Sequence, residues 1–496
     1  MTASPSSNDE VTFLSSVNAD GTLARTSFYG WDKKTPATYN SGWTTARKFG
    51  GTTAGTSGGT VSYYFNPASA WTATEQKWLS AGLALWSAVA NISFVKTTTA
   101  SGAGITFNRT NDNGSYAYAL YSPSADACVT GGKVLGRLTR SSVNIDTTGT
   151  SFGPISTLAT NGGFTIENLL HEEGHALGLG HAGPYDGSIN TMTQQYSAYD
   201  NRQWTVMSYI NPDVASKYGS TGAKWYGGEP TTPMVLDIQA IQRLYGVPVN
   251  TPLSGGQVFG FNCNISGAIR PFFDFTQNAK PIITIWDKGS NNTLDLSGFT
   301  GTANINLNPG TYSSTSGLTN NIGIAFGTQI NKLVCTQGGS TVMCNNYGDT
   351  VIGGAGADKI TGGSGNDVLS GGKGSNTLNG GAGTDTAVYS GTAASYRLTK
   401  NSNGSYLVTG SGVSDVLTSI EILRFSDKSI KLAGTSLNIA KEIAADSPEH
   451  DGLLILQPSD SRSQPLAGLS SSLAPANSLT SLSSSNSSSA WHMATG

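Results

Sequence analysis

The sequence predicts an α+β domain followed by an all-β, calcium-binding parallel β-roll. Three observations carry that prediction. Helical periodicity is confined to roughly the first 250 residues. Beyond them only short β-type runs remain, such as VFGFN, IITIWD, NTLDLSG and INLN, set between Gly, Asn and Ser clusters. From Gly353 to Val388 four nine-residue segments, GGAGADKIT, GGSGNDVLS, GGKGSNTLN and GGAGTDTAV, follow one another without a gap.

Composition bounds the partners. A chain of 496 residues exceeds one ordinary domain, and 63 glycines with only 12% charged residues fit a turn-dense extracellular protein. A net charge of -3 gives no basic footprint for nucleic acid and no polybasic patch for a membrane surface. No run of 18 apolar residues occurs, so stable membrane insertion is not expected. The start, MTASPSSNDEV, lacks the basic and apolar regions of a secretory signal, so an export address must lie elsewhere. Cys128, Cys263, Cys335 and Cys344 show no C-x-x-C spacing, and spacing alone leaves disulfide or thiol open.

The elements follow in order. Residues 1–20 are polar and aperiodic, and read as disordered or as a prosegment. The unit 21–250 opens with a strand at Val61–Phe65. A helix follows from Thr72, where Thr72 and Glu75 form a capping box and Leu79, Leu83, Trp86 and Ala90 recur at helical spacing. Gly104–Phe107 and Tyr116–Tyr121 read as strands, a second helix starts near Thr165, and TTPMVLDIQAIQRLYG is a third that ends at Gly246. Residues 251–390 form the roll, 391–435 a small closing β-unit, and 436–496 a Ser-rich tail able to hold a secretion signal.

The chemistry concentrates in HEEGHALGLGH, residues 171–181, which holds three of the five histidines. On a helix, positions i and i+4 share a face, so His171 and His175 can address one metal ion. Glu172 projects about 100° away and can reach a water on that metal. Gly178 allows the helix to end and the chain to swing His181 back as third ligand. Three neutral histidines leave a fourth zinc position open, the condition for catalysis. Met207, about 26 residues after His181 and followed by Tyr209, fits the Met-turn of the metzincins. Methionine alone would be an ordinary core filler.

In the repeats the glycines permit the turn, the acidic residue and turn carbonyls bind calcium, and one apolar side chain faces inward. The turn positions are Gly354, Gly356 and Asp358; Gly363, Gly365 and Asp367; Gly372, Gly374 and Asn376; Gly381, Gly383 and Asp385. Ile360, Leu369, Leu378 and Ala387 are the inward positions, and Asn376 replaces the third aspartate. CNNYGDTVI, just before, keeps Asp349 and Val351 in phase.

The helix from Thr72, HEEGHALGLGH, VMSY, LDIQAIQRLYG, DLSGF and the glycine repeats occur in the order of the serralysins. The chain resembles that family of secreted bacterial zinc metalloproteases with RTX calcium repeats, over roughly residues 60–390. The resemblance implies a metzincin catalytic domain, one catalytic zinc and several structural calcium ions. It implies Glu172 as general base, and Tyr209 as a zinc-proximal hydroxyl and oxyanion donor. It also implies protein or peptide substrates paired with an edge strand, here Tyr116–Leu120, together with export by a type I exporter and a secreted monomer.

Some residues depart from the family pattern. Glu173 falls where an apolar residue is usual, four residues from Leu169 and from Leu177, so it must be paired, protonated or at an interface edge. Cys335–Cys344 reads as an insertion before the roll, and an outer calcium site at Asp287, Gly289 and Asn292 is only partly matched. Two other functions compete. One is an RTX binding or adhesion protein with an inactive protease-like region, against which the intact Glu172 speaks. The other is a serine hydrolase through Gly55-Thr56-Ser57-Gly58-Gly59, which lacks the strand-to-helix setting that motif needs.

Overall fold

In the computed structural model the described residues are 4–24, 47–111, 116–121, 131–147, 162–185, 188–432 and 453–455, the backbone alone at 116–121 and 453–455. All of them fall within the unit Met1–Gln457. Cys128 and nearly all of the Ser-rich tail lie outside the described residues.

The first sheet is built from β1 (Arg47–Lys48), β2 (Gly59–Phe65), β3 (Ile92–Lys96), β4 (Ile105–Thr110), β5 (Tyr116–Tyr121) and β6 (Gly136–Asp146). Its order is β1-β6-β4-β2-β3, all parallel, and β5 runs antiparallel on β6 alone. The predicted edge strand is thus an edge strand. Helix α2 (Ala73–Val89) starts at the expected box: Glu75 N–H donates to Thr72 Oγ1 (3.3 Å) and Thr72 N–H to Glu75 Oε2 (2.7 Å). It buries Leu79, Leu83 and Trp86 in the same apolar core as Ile105 and Phe107 of the sheet and Leu169 of α3 (Phe164–Ala176). Each such side chain contributes about 1.5–3 kcal/mol by leaving water. A short α4 (Thr191–Gln194) precedes α5 (Val235–Tyr245), which stops at Gly246, φ 79°.

The N-terminal segment corrects the reading of disorder. Ser7–Ser15 form a capped helix, α1, packed on α5. Val11, Phe13, Leu14 and Val17 are fully or nearly fully buried. Arg243 of α5 donates to Thr12 Oγ1 (2.8 Å) and Val17 O (3.0 Å), and Gly180 N–H donates to Leu14 O (2.8 Å). A polar stretch of this length gives no periodic signal because its few apolar residues are covered by elements far away in sequence.

The second region is a two-layer parallel roll. Each nine-residue repeat makes half a turn, so strand partners lie 18 residues apart: Val351 with Leu369, Leu369 with Ala387, Ile360 with Leu378. Cys335–Cys344 is not an insertion. Leu333 pairs with Val351 and Val342 with Ile360, so this segment is a further coil of the roll, its apolar residues in the same nine-residue phase without the glycines. Cys335 and Cys344 are buried free thiols, as is Cys263. Nor is the closing unit separate, since Val413–Thr418 and Ile422–Arg424 extend both sheets in parallel register. One continuous apolar core joins the roll to the first region, where the rings of Trp78 and Phe272 meet edge to face at 5.7 Å.

Candidate metal centre and active site

Helix α3 presents His171 and His175 on one face, and its end is dictated by Gly178. There φ is 107°, Gly178 N–H donates to His175 O (3.0 Å) and Leu179 N–H to Gly174 O (2.9 Å), the paired bonds of a glycine C-cap. A Cβ at this position would stand 2.1 Å from Arg47 O, so only glycine fits. The turn returns His181 to the other two. Ligand atoms of the three histidines lie within 4.8 Å of one another, and the Nε2 atoms of His175 and His181 are 3.0 Å apart.

Each imidazole is oriented from behind. The Nδ1 atoms lie against backbone carbonyls: His171 against Val206 O (2.8 Å), His175 against Leu179 O (2.9 Å), His181 against Tyr185 O (2.9 Å). With the proton on Nδ1, every Nε2 lone pair faces the common point. Burial keeps the rings neutral, lowering His175 to about 4 and His171 and His181 well below the usual range. Three neutral, pre-oriented nitrogen donors fit zinc. Buried Glu172 adjoins His171 on the helix, and half-buried Tyr209 has its ring 4.7 Å from that of His181 and 5.6 Å from that of His171.

Met207 lies buried under the helix at Gly174, where a Cβ would meet its sulfur at 2.6 Å. Sequence reading missed what holds this turn. Asp237 of α5 accepts from Thr205 Oγ1 (2.6 Å), Val206 N–H (2.8 Å) and Met234 N–H (2.8 Å), while the carbonyl of Val206 is the partner of His171. Burial raises Asp237 to about 7. Tyr185, whose carbonyl orients His181, donates its hydroxyl to Asp200 (2.5 Å). Arg202 bridges Glu167 at the start of α3 (3.2 Å) and Glu229 (3.1 Å). An aspartate three residues past the start of a helix was the one visible signal for Asp237.

Of the alternatives left for Glu173, pairing and an interface edge do not hold: it is fully buried and neither oxygen has a hydrogen-bond partner, and burial lifts its carboxyl well above the usual range, which favours the protonated form. Gly82 of α2 makes the room, since a Cβ there would lie 2.3 Å from Glu173 Oε2.

In the roll, Asp349, Asp358, Asp367 and Asp385 and Asn376 are all buried, and burial raises the four carboxyls, Asp349 to about 7. Gly354 N–H donates to Asp358 Oδ2 (2.9 Å) and Gly363 N–H to Asp367 Oδ2 (3.0 Å), so turn and acid meet as predicted. Asp287, Gly289 and Asn292 also come together: Gly289 N–H donates to Asp287 Oδ1 (2.7 Å) and Asn292 Nδ2 to Gly289 O (3.2 Å). Buried Asp287 Oδ2 and Asp349 Oδ1 have no hydrogen-bond partner, which is the chemistry of a hard-cation site. Asp415 and Glu421 join the stacked acids and were not foreseen.

The fold and site define a class: a parallel sheet with a helix-borne three-histidine metal centre, continued by a parallel β-roll. Residues 250–439 match the family described as "Peptidase M10 serralysin C terminal". The chain is similar to the serralysins over about half of its length. It is 34% identical over 265 residues to "Serralysin" of Photorhabdus laumondii subsp. laumondii, covering 52% of this chain and 50% of that protein. It is 33% identical over 264 residues to "Metallopeptidase AprA" of Pseudomonas marginalis, covering 52% and 51%. Against "Serralysin C" of Dickeya chrysanthemi the identity is 38% over 177 residues, 35% of this chain and 34% of that protein. The chain spans about half the length of the first two relatives that it matches.

Proposed function

We propose that this protein is a secreted zinc-dependent endopeptidase that hydrolyses peptide bonds of extracellular proteins. The observation that carries the reading is the convergence of three neutral Nε2 atoms, each fixed by a carbonyl behind it, beside the buried Glu172. His171, His175 and His181 hold the zinc, which when bound supplies Lewis acidity toward a water and the scissile carbonyl. The Glu172 carboxylate accepts the water's proton as the nucleophile attacks and passes it to the leaving amine. Tyr209, its ring tilted beside those of His171 and His181, donates its hydroxyl to the oxygen on which negative charge develops, and stands near enough to the ligand rings to serve as a further zinc ligand. A peptide substrate adds to the edge of β5, which among the described residues pairs on one side only.

The roll serves the same protein as a calcium-stabilised module whose ligands are drawn from the turn glycines and acids of residues 353–388, with Asp349 as an outer position and the Asp287 group as a separate outer site. By its likeness to the serralysins the protein is read as a secreted monomer that leaves by a type I exporter. Among the described residues no helix is long and apolar enough to cross a membrane. Zinc content measured together with proteolysis tests the reading. Wild type should carry one zinc per chain and cleave casein, and Glu172→Ala should keep the zinc and lose the cleavage. Full activity in the variant sinks the mechanism.

A further inference from the structure

The roll has a row of turns along each edge, and the two rows differ in chemistry. Along one edge Asp349, Asp367, Asp385 and Glu421 stack in succession. Asp349 N–H donates to Asp367 Oδ1 (2.7 Å), Asp367 N–H to Asp385 Oδ1 (2.8 Å) and Asp385 N–H to Glu421 Oε2 (2.8 Å). Every interval on this edge therefore brings two carboxylates together. Along the other edge the row is Ser340, Asp358, Asn376 and Asp415. Ser340 N–H donates to Asp358 Oδ1, Asp358 N–H to Asn376 Oδ1 (2.9 Å) and Asn376 N–H to Asp415 Oδ1 (3.3 Å). No interval here holds more than one carboxylate.

Unmet need follows the same division. Asp349 Oδ1 and Asp385 Oδ2 are fully buried and lack any hydrogen-bond partner, and both belong to the first edge. On the second edge Asp358 Oδ2 accepts from Gly354 N–H, and the Asn376 side chain spans two acceptors. Its Nδ2 donates to Asp415 Oδ1 (2.8 Å) and, more weakly, to the turn carbonyl of Lys373 (3.4 Å). The amide cannot be turned over, because its Oδ1 already accepts from Asp358 N–H and a flip would set donor against donor. A turn carbonyl and a carboxylate of the next coil are the oxygens that a hard cation would draw together. Here an N–H group lies between them.

We infer that, among the stacked turns of the roll from Ser340 to Glu421, calcium is held along the Asp349 edge only, out to a terminal site completed by Glu421, and that the Asn376 amide takes a cation's place on the opposite edge. This rests on the reading of the roll as a calcium-binding module. Calcium affinity rises with the charge count of its ligands. Paired buried carboxylates repel one another until a cation is bound, whereas a single carboxylate already joined to an amide gains little from one.

The test is equilibrium dialysis of the full chain against calcium, with melting temperature in chelator as second readout. Glu421→Gln should bind one calcium fewer than wild type, and Asp358→Asn the same number as wild type. Asn376→Asp should bind one more and melt lower in chelator, since it exchanges a donor for a second carboxylate facing Asp415. Equal losses in Asp358→Asn and Glu421→Gln overturn the division of edges. An Asn376→Asp variant unchanged in both readouts overturns the role of the amide, and an unchanged count in Glu421→Gln removes the terminal site. Failure of wild type to bind any calcium refutes the underlying reading instead, and is told apart by that result alone.

Discussion

The two regions gather ligand atoms in opposite ways. In the first, the donors are neutral imidazoles, each with a carbonyl partner at 2.8–2.9 Å, so the site is assembled by the protein's own hydrogen bonds. In the roll the donors are carboxylates stacked one coil above another, some oxygens of which have no partner. The first arrangement can exist before metal arrives; the second is unfavourable until charge is neutralised. The ligand set of the first region is thus finished by its fold, whereas on the proposed reading of the roll it is the fold that a metal would finish.

The largest effect expected of any change lies at the pre-assembled centre. Glu172→Ala should lower turnover by a factor on the order of 100 to 10,000 while leaving zinc content and the calcium dependence of the roll untouched. Loss of zinc in that variant would mean that the centre is not pre-assembled. Tyr209→Phe removes one oxyanion donor and should lower kcat by about 100-fold with KM little changed. An effect confined to KM would move Tyr209 to substrate binding.

Asp237→Ala tests the pre-organisation itself. It strands two backbone N–H groups and the Thr205 hydroxyl, and should cost about 1–3 kcal/mol of stability. Because Val206 orients His171, zinc should also dissociate faster from the variant, whereas calcium binding should be unchanged. Equal zinc off-rates in stopped-flow chelation would reduce Asp237 to a structural residue.

The smallest effect concerns Glu173. Its folded carboxyl is raised by burial, so the stability it contributes is complete below the unfolded value of about 4.3 and is lost as pH rises through the folded value. Glu173→Gln keeps the shape and removes the titration. It should melt about 2–4 °C above wild type near pH 8 for each kcal/mol recovered, with no difference near pH 4. A difference independent of pH would show that packing, not protonation, sets its effect.

Much of both regions was legible because the signals are local. The spacing of His171 and His175 and the glycine at 178 specify a helix face and its end, and the aspartates at 358, 367 and 385 mark the turns. What escaped depends on distant partners. Leu333 and Val342 keep the roll's phase without glycines, so the roll begins at least one coil earlier than the glycines announce. Asp415 and Glu421 belong to the closing strands and meet the repeats only because both sheets continue through them. Asp237 resembles any helix-start aspartate until the Met207 turn is laid against it. Helix α1 is too short to hold itself in water.

That helix has a consequence for the order in which the chain matures. Leu14 receives the amide of Gly180, next to the third histidine, and Arg243 clasps the C-terminal end of the same helix on either side of it, at Thr12 and Val17. This helix can find its place only after α5 has been made, because its clasp lies 231 residues downstream of Thr12. Contacts so remote close slowly. A nascent chain that ends before Arg243 has its three histidines but not the brace behind the loop that carries His181, so that loop is secured only once the whole first region has been made.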